Sequence, residues 1–230
     1  MKKELIVMKE VEKVYQGKGE KVRALKGINL TILEGEFVAI AGPSGSGKTT
    51  LLNLIGALDK PTSGKIFFLG KEISSLNQKE LATFRRKYIG FIFQHFNLIP
   101  VLTVEENVEY VLLLQKIEAS ERIQKVRDVL EKVGLKGLEK RFPPQLSGGQ
   151  QQRVAIARAI VHEPKIVLAD EPTANLDTET GKNILKLMKK LNKEKNITFL
   201  FSTHDPLIME EAERLILLRD GEIVEEKKNF

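Results

Sequence analysis

The sequence predicts an α/β fold, a mostly parallel sheet with helices on both faces, interrupted by a helical insert. Three observations predict it. Short, continuously apolar runs recur at residues 37–41, 89–93, 166–169, 197–201 and 215–218, with the length and content of strands buried on both faces. The segment GPSGSGKT, residues 42–49, stands directly after the first run and before a helix-competent stretch over 49–58. Residues 103–160 carry helix-start signals and helical periodicity in place of strand patterns.

Taken in order, residues 5–40 read as β structure. The opening Lys3-Glu4-Leu5-Ile6-Val7-Met8 is too short for a secretory leader, and Lys9 ends its apolar run, so it reads as a strand. Ile28, Leu30 and Ile32 alternate with polar residues, the period of a half-buried strand, and Gly17 and Gly19 mark a polar turn before it. Thr103-Val104-Glu105-Glu106 is a capping box at a helix start. Ser120 is placed to cap a second helix, with Ile123, Val126, Leu130 and Val133 on one face and Gly134 and Gly137 breaking it. Pro143-Pro144 marks the hinge into LSGGQQQRVAIARA, residues 146–159, where a serine and two glycines open a helix with Val154, Ile156 and Ala157 as packing residues.

Composition narrows the function classes. The chain has 230 residues, 42% hydrophobic and 30% charged, as in a folded globular protein. No apolar run approaches the roughly 18 residues of a membrane-spanning helix. With no cysteine, disulfide and thiol chemistry are excluded, which suits a cytosolic setting. Three histidines and no cysteine argue against a transition-metal centre; His95 and His162 read as ordinary residues. The net charge of +6 comes from Lys mixed with Glu, the pattern of a solvated surface. No basic run interleaves aromatics and there is no Trp, so no nucleic-acid partner is expected.

Residues 42–49 fit G-x-x-x-x-G-K-[ST] in its required strand–loop–helix context. Gly42, Gly45 and Gly47 let the backbone turn so that N–H groups converge on phosphate oxygens, and the helix start adds its positive dipole. Lys48 reaches the β- and γ-phosphates, and the Thr49 hydroxyl is a Mg²⁺ ligand. The partner carboxylates stand at Asp170-Glu171, where an apolar run ends in two acids at the carboxyl end of a parallel strand. Asp170 suits Mg²⁺, and Glu171 can orient or deprotonate a water beside the γ-phosphate.

With these elements in place, Leu146-Ser147-Gly148-Gly149-Gln150 resembles the signature of ATP-binding-cassette (ABC) ATPases. It lies between the phosphate loop and the Asp-Glu strand, as in that family. The resemblance covers essentially the whole chain. It implies a P-loop NTPase core with an antiparallel β subdomain in 1–93 and 162–230, and a helical subdomain in 94–161. It also implies ATP and Mg²⁺ as cofactors, with Pro43, Ser44, Ser46 and Thr50 completing the ATP-binding loop. Tyr15 resembles the aromatic that stacks on adenine. Gln94 resembles the glutamine that senses Mg²⁺ and the attacking water, and His204 the switch histidine that contacts the γ-phosphate. Ala174-Asn175-Leu176-Asp177 resembles the loop that crosses the dimer interface. The signature then faces the nucleotide of a second copy, so that two ATP are sandwiched head to tail.

Residues 58–76 and 85–108 most resemble the ATPases of macrolide-export and lipoprotein-release transporters and the related cell-division cassette ATPase. That implies a separately encoded membrane permease docked near Gln94–Leu102, holding the subunit at the inner face of the membrane. Phe96, Leu98, Ile99, Pro100 and Leu102 form an apolar cluster that either meets this permease or packs under the helical insert. An amino-acid importer ATPase and a soluble cassette acting on ribosomes or DNA are the alternatives. The latter usually carries two cassettes or a long coiled-coil insert, and this sequence has neither.

Overall fold

The computed structural model describes residues 3–17 and 19–228; Met1 and Lys2, at the head of the first apolar run, lie outside them. Long strands β1 (Glu4–Gln16) and β2 (Lys21–Leu33) pair antiparallel. β4 (Ser63–Phe68) and β5 (Lys71–Glu72) extend them into a four-stranded sheet of order β2-β1-β4-β5.

The apolar runs become β3 (Phe37–Ala41), β6 (Ile89–Ile92), β7 (Ile166–Asp170), β8 (Thr198–Thr203) and β9 (Arg214–Arg219). They lie parallel, and β10 (Glu222–Lys228) adds an antiparallel edge, in the order β10-β9-β3-β8-β7-β6. Alternate residues of β3 face different cores. Phe37 and Ala39 pack with Val167, Phe199 and Phe201 under the helical part, while Val38 and Ile40 pack with Leu168, Leu200 and the antiparallel sheet. Such burial on both faces explains why the strands read as unbroken apolar runs.

The helices are α1 (Lys48–Ile55), α2 (Gln78–Tyr88), α3 (Val104–Leu114), α4 (Ala119–Lys132), α5 (Gly148–Ile160), α6 (Thr178–Lys195) and α7 (Pro206–Glu211). Thr103 caps α3 through the Glu106 N–H, and the Glu106 carboxylate accepts from the Thr103 N–H. Such a cap is worth about 1 kcal/mol.

The second insert helix corrects the sequence reading. Glu118 stands at the N-cap of α4 without a side-chain cap bond, so Ser120 lies inside the first turn. Ile123 is 57% exposed, whereas Val126, Leu130 and Val133 are buried as expected and Val129 joins them. A helix of this pitch carries one stripe, and 126, 129, 130 and 133 complete it without residue 123. Val154, Ile156 and Ala157 of α5 are fully buried.

Candidate functional site

The carboxyl ends of β3, β7 and β8 open into a cleft of about 820 Å³. β3 delivers the chain into the glycine loop, and Gly47 forms the N-cap of α1 at φ +103. A β-carbon there would stand 2.6 Å from the Ala24 carbonyl oxygen, so glycine is required for conformation and space alike. The first turn of α1 holds no acidic residue, leaving its positive end open toward the cleft. Lys48 folds back over the loop, donating from Nζ to the carbonyls of Gly42 (2.7 Å) and Pro43 (3.0 Å).

Asp170 ends β7 across from this loop. Its Oδ2 lies 3.4 Å from the Thr49 hydroxyl, and its Oδ1 is buried without a hydrogen-bond partner. A buried, donor-less carboxylate oxygen beside a hydroxyl fits a hard cation. Gln94 lines the same cleft.

Glu171 sits in the left-handed region at φ +46. A non-glycine residue held there costs about 1–3 kcal/mol and persists because its surroundings over-determine it. Its N–H donates to the Ser202 carbonyl (2.8 Å). Oε2 accepts from the Thr203 hydroxyl (3.2 Å) and the His204 N–H (3.3 Å), and Oε1 lies 2.6 Å from His204 Nδ1.

The turn after Glu171 is tied down from several sides. The Thr173 hydroxyl donates to Asp205 Oδ2 (2.6 Å). The Asn175 amide donates to the Gln94 carbonyl (2.8 Å) and stands 3.2 Å from His95 Nδ1. Asp177 caps α6 through the Thr180 N–H (2.9 Å), and its bonds to the Thr180 side chain and backbone lower its pKa.

The cleft thus gathers Gly42, Pro43, Ser44, Gly45, Ser46, Gly47, Lys48, Thr49, Thr50, Gln94, Asp170, Glu171 and His204. It does not gather the signature. Leu146 is buried, and Ser147 caps α5 by accepting from the Gln150 N–H while Gln150 Oε1 accepts from the Ser147 N–H. A β-carbon on Gly149 would meet Thr180 Cγ2 at 2.6 Å, so this glycine is small because α5 packs against the start of α6. At Gly148 the nearest atoms, on Leu176 and Asn175, stand at 3.6 Å and beyond.

Tyr15 also stands off the cleft, although its ladder partner Val22 lines it. The Tyr15 hydroxyl donates to Asp59 (3.0 Å), and the Lys13 ammonium sits 4.8 Å from its ring centroid. Burial, with the Asp59 bond and charge, raises the Tyr15 pKa. Val22–Ala24 and Lys26 of β2, and the Asp220-Gly221 turn, line the cleft without a motif to announce them. Position in the folded chain, rather than residue type, puts them there.

A phosphate loop at the head of α1, an acid pair ending β7, one strand removed from β3 across β8, and a capped signature helix define an ATP-binding cassette ATPase. The family profile described as ABC transporter matches residues 25–174, and the chain belongs to that family. It is 52% identical over 222 residues to the uncharacterized ABC transporter ATP-binding protein MJ1508 of Methanocaldococcus jannaschii, covering 96% of this chain and 98% of the relative. The macrolide export ATP-binding/permease protein MacB of Shigella flexneri is 44% identical over 220 residues, 96% of this chain but 34% of MacB. The fold superposes on the dimeric post-hydrolysis structure of the ATP-binding cassette MJ0796 bound to ADP and Pi with a TM-score of 0.90 at 47% identity, covering 98% of this chain and all of that one.

Proposed function

We propose that this ATPase closes with a second copy around two ATP and powers a membrane permease of the macrolide-export or lipoprotein-release type. One observation carries the reading: the phosphate loop, Asp170, Glu171 and His204 share one cleft, while the N-terminal end of α5 stands outside it. A helix end with open N–H groups suits an anion on another molecule. The dimeric MJ0796 cassette bound to ADP and Pi supports that arrangement.

In this reading Lys48 leaves the Gly42 and Pro43 carbonyls for the β- and γ-phosphates. Thr49, Asp170 and Gln94 hold Mg²⁺, which neutralises phosphate charge when bound. Glu171 accepts the proton of the attacking water, and His204 holds its carboxylate and faces the γ-phosphate. Ser147, Gly148 and Gly149 of one copy meet the nucleotide of the other, with Leu146 and Gln150 holding that helix end and Ala174–Asp177 lying along the interface. Residues 94–161 form the helical subdomain of a single cassette.

The Gln94–Leu102 segment is the proposed permease contact. Arg158 donates to the carbonyls of Phe96 (2.7 Å) and Asn97 (2.6 Å), and Asn107 bonds Ile99, Leu102 and Thr103. The segment is therefore stiff, and the Asn175–Gln94 bond links it to the turn after Glu171. Val101 on it is 77% exposed, and an apolar groove of about 630 Å³, lined by Leu58, Phe91, Val111 and Leu114, opens between α2 and α3. No helix among the described residues is long and apolar enough to cross a membrane. Membrane attachment at the inner face then runs through the permease.

Affinity capture of the tagged chain from detergent-solubilised membranes tests this reading. It should co-purify one integral membrane protein and place the ATPase in the membrane fraction. Recovery with ribosomes or DNA and no membrane protein would refute the transport role.

A further inference from the structure

We propose that Gln152 is a positioning residue that couples the signature end of α5 to the turn carrying Glu171. The inference rests on Glu171 acting as the base. Gln152 is fully buried, five residues along α5 from Ser147, or roughly 7–8 Å of helix. Its Nε2 donates to the Pro172 carbonyl at 2.6 Å. That carbonyl is an acceptor only, so the amide has one workable orientation. Oε1 then points into the protein without a partner.

An unpaired buried oxygen weakens a fold, so packing stability alone does not explain an amide here. The Pro172 bond does. Pro172 follows Glu171, whose backbone is already held in a strained conformation. The other anchors of this turn come from the β8 side, through Ser202 to the Glu171 N–H and Asp205 to Thr173, and from the segment after β6, through the Gln94 carbonyl to Asn175. Gln152 supplies the tether from α5. In the two-copy arrangement, Ser147 of one chain faces the nucleotide held by its partner. The Gln152–Pro172 bond therefore connects occupancy of one site to the placement of Glu171 in the other.

Leucine at this position exchanges one unpaired acceptor for another: Oε1 disappears and the Pro172 carbonyl loses its donor. Stability should barely move, while the tether is gone. The test is steady-state ATP hydrolysis by Gln152→Leu and Gln152→Met, with thermal melting of each. A carboxylate displaced by about 1 Å loses on the order of tenfold to a hundredfold in rate. The expected result is a kcat lower by that factor, with KM for ATP and the melting temperature unchanged. In the Glu171→Gln background, Gln152→Leu should remove nothing further from the residual rate, because it acts through Glu171. An unchanged kcat would overturn the proposal. So would a loss matched by a lower melting temperature in both variants, or a full additive loss in the double variant. Wild-type turnover by Glu171→Gln alone would remove the base assignment, and this coupling with it, and is read independently of the Gln152 variants.

Discussion

His204 Nδ1 lies 2.6 Å from Glu171 Oε1, while the Thr203 hydroxyl and the His204 backbone N–H meet the other oxygen of the same carboxylate. The acid at the end of β7 is therefore aimed by the loop that leaves β8, the neighbouring strand. A carboxylate placed this way is sensitive to its own chemistry and to its holders.

Glu171→Gln keeps the shape and removes the proposed base. Hydrolysis should fall at least about a hundredfold, the usual scale for a general base. ATP binding should survive, because Lys48 is untouched. Size-exclusion chromatography of this variant should show a monomer without nucleotide or with ADP and a dimer with ATP, and Ser147→Arg should abolish the dimer. An ATP-loaded monomer at micromolar concentration would contradict self-assembly.

Lys48→Ala removes the ammonium that now rests on the Gly42 and Pro43 carbonyls. A charge-assisted contact exceeds about 1.5 kcal/mol, so ATP affinity should drop at least about tenfold. Titration calorimetry measures it, and unchanged affinity would remove the phosphate-loop assignment.

Tyr15 stands off the cleft, with Lys13 close to its ring and the hydroxyl engaged by Asp59. If it stacks on adenine, Tyr15→Ala weakens ATP binding while Tyr15→Phe and Tyr15→Trp keep it, since stacking needs a π face. Equal losses in Phe and Ala variants would assign the role to the Asp59 bond.

The proposed docking surface is best probed at Val101. Leu98 is partly buried against the core, so a charge there disturbs packing as well as docking. Val101→Asp, on a residue 77% exposed, should leave isolated ATPase activity and melting temperature intact while abolishing co-purification of the membrane partner. Leu98→Asp should lower the melting temperature. Retained co-purification with Val101→Asp would move the contact elsewhere.

Burial lowers the His162 pKa to about 4, with the hydrogen bond to the Ile89 carbonyl opposing it. The unfolded chain then binds the proton more readily than the fold between about pH 6.5 and 4. Stability contributed by the neutral ring is full above that window and is lost as pH falls through it, by about 3 kcal/mol in all. His162→Gln can still donate to Ile89 and does not titrate. Its melting temperature should therefore fall less than that of the wild type between pH 7 and 4. Parallel curves would exclude His162 as a source of acid sensitivity.

Elements whose cause is local are legible in the amino-acid sequence. The glycine loop, the apolar strand runs, the acids ending β7 and the capping box at Thr103 depend on neighbours within a few residues, so composition and spacing reveal them. Which surfaces those elements meet is set by the packing of the folded chain. It placed Val22–Ala24 on the cleft wall and Tyr15 beyond it, turned Ile123 outward and Leu98 inward, and set Thr180 against Gly149. It also brought Gln152 to Pro172 across 20 residues. The physical reason is that a side chain's partners belong to whichever element packs against it, and that element is distant in the chain.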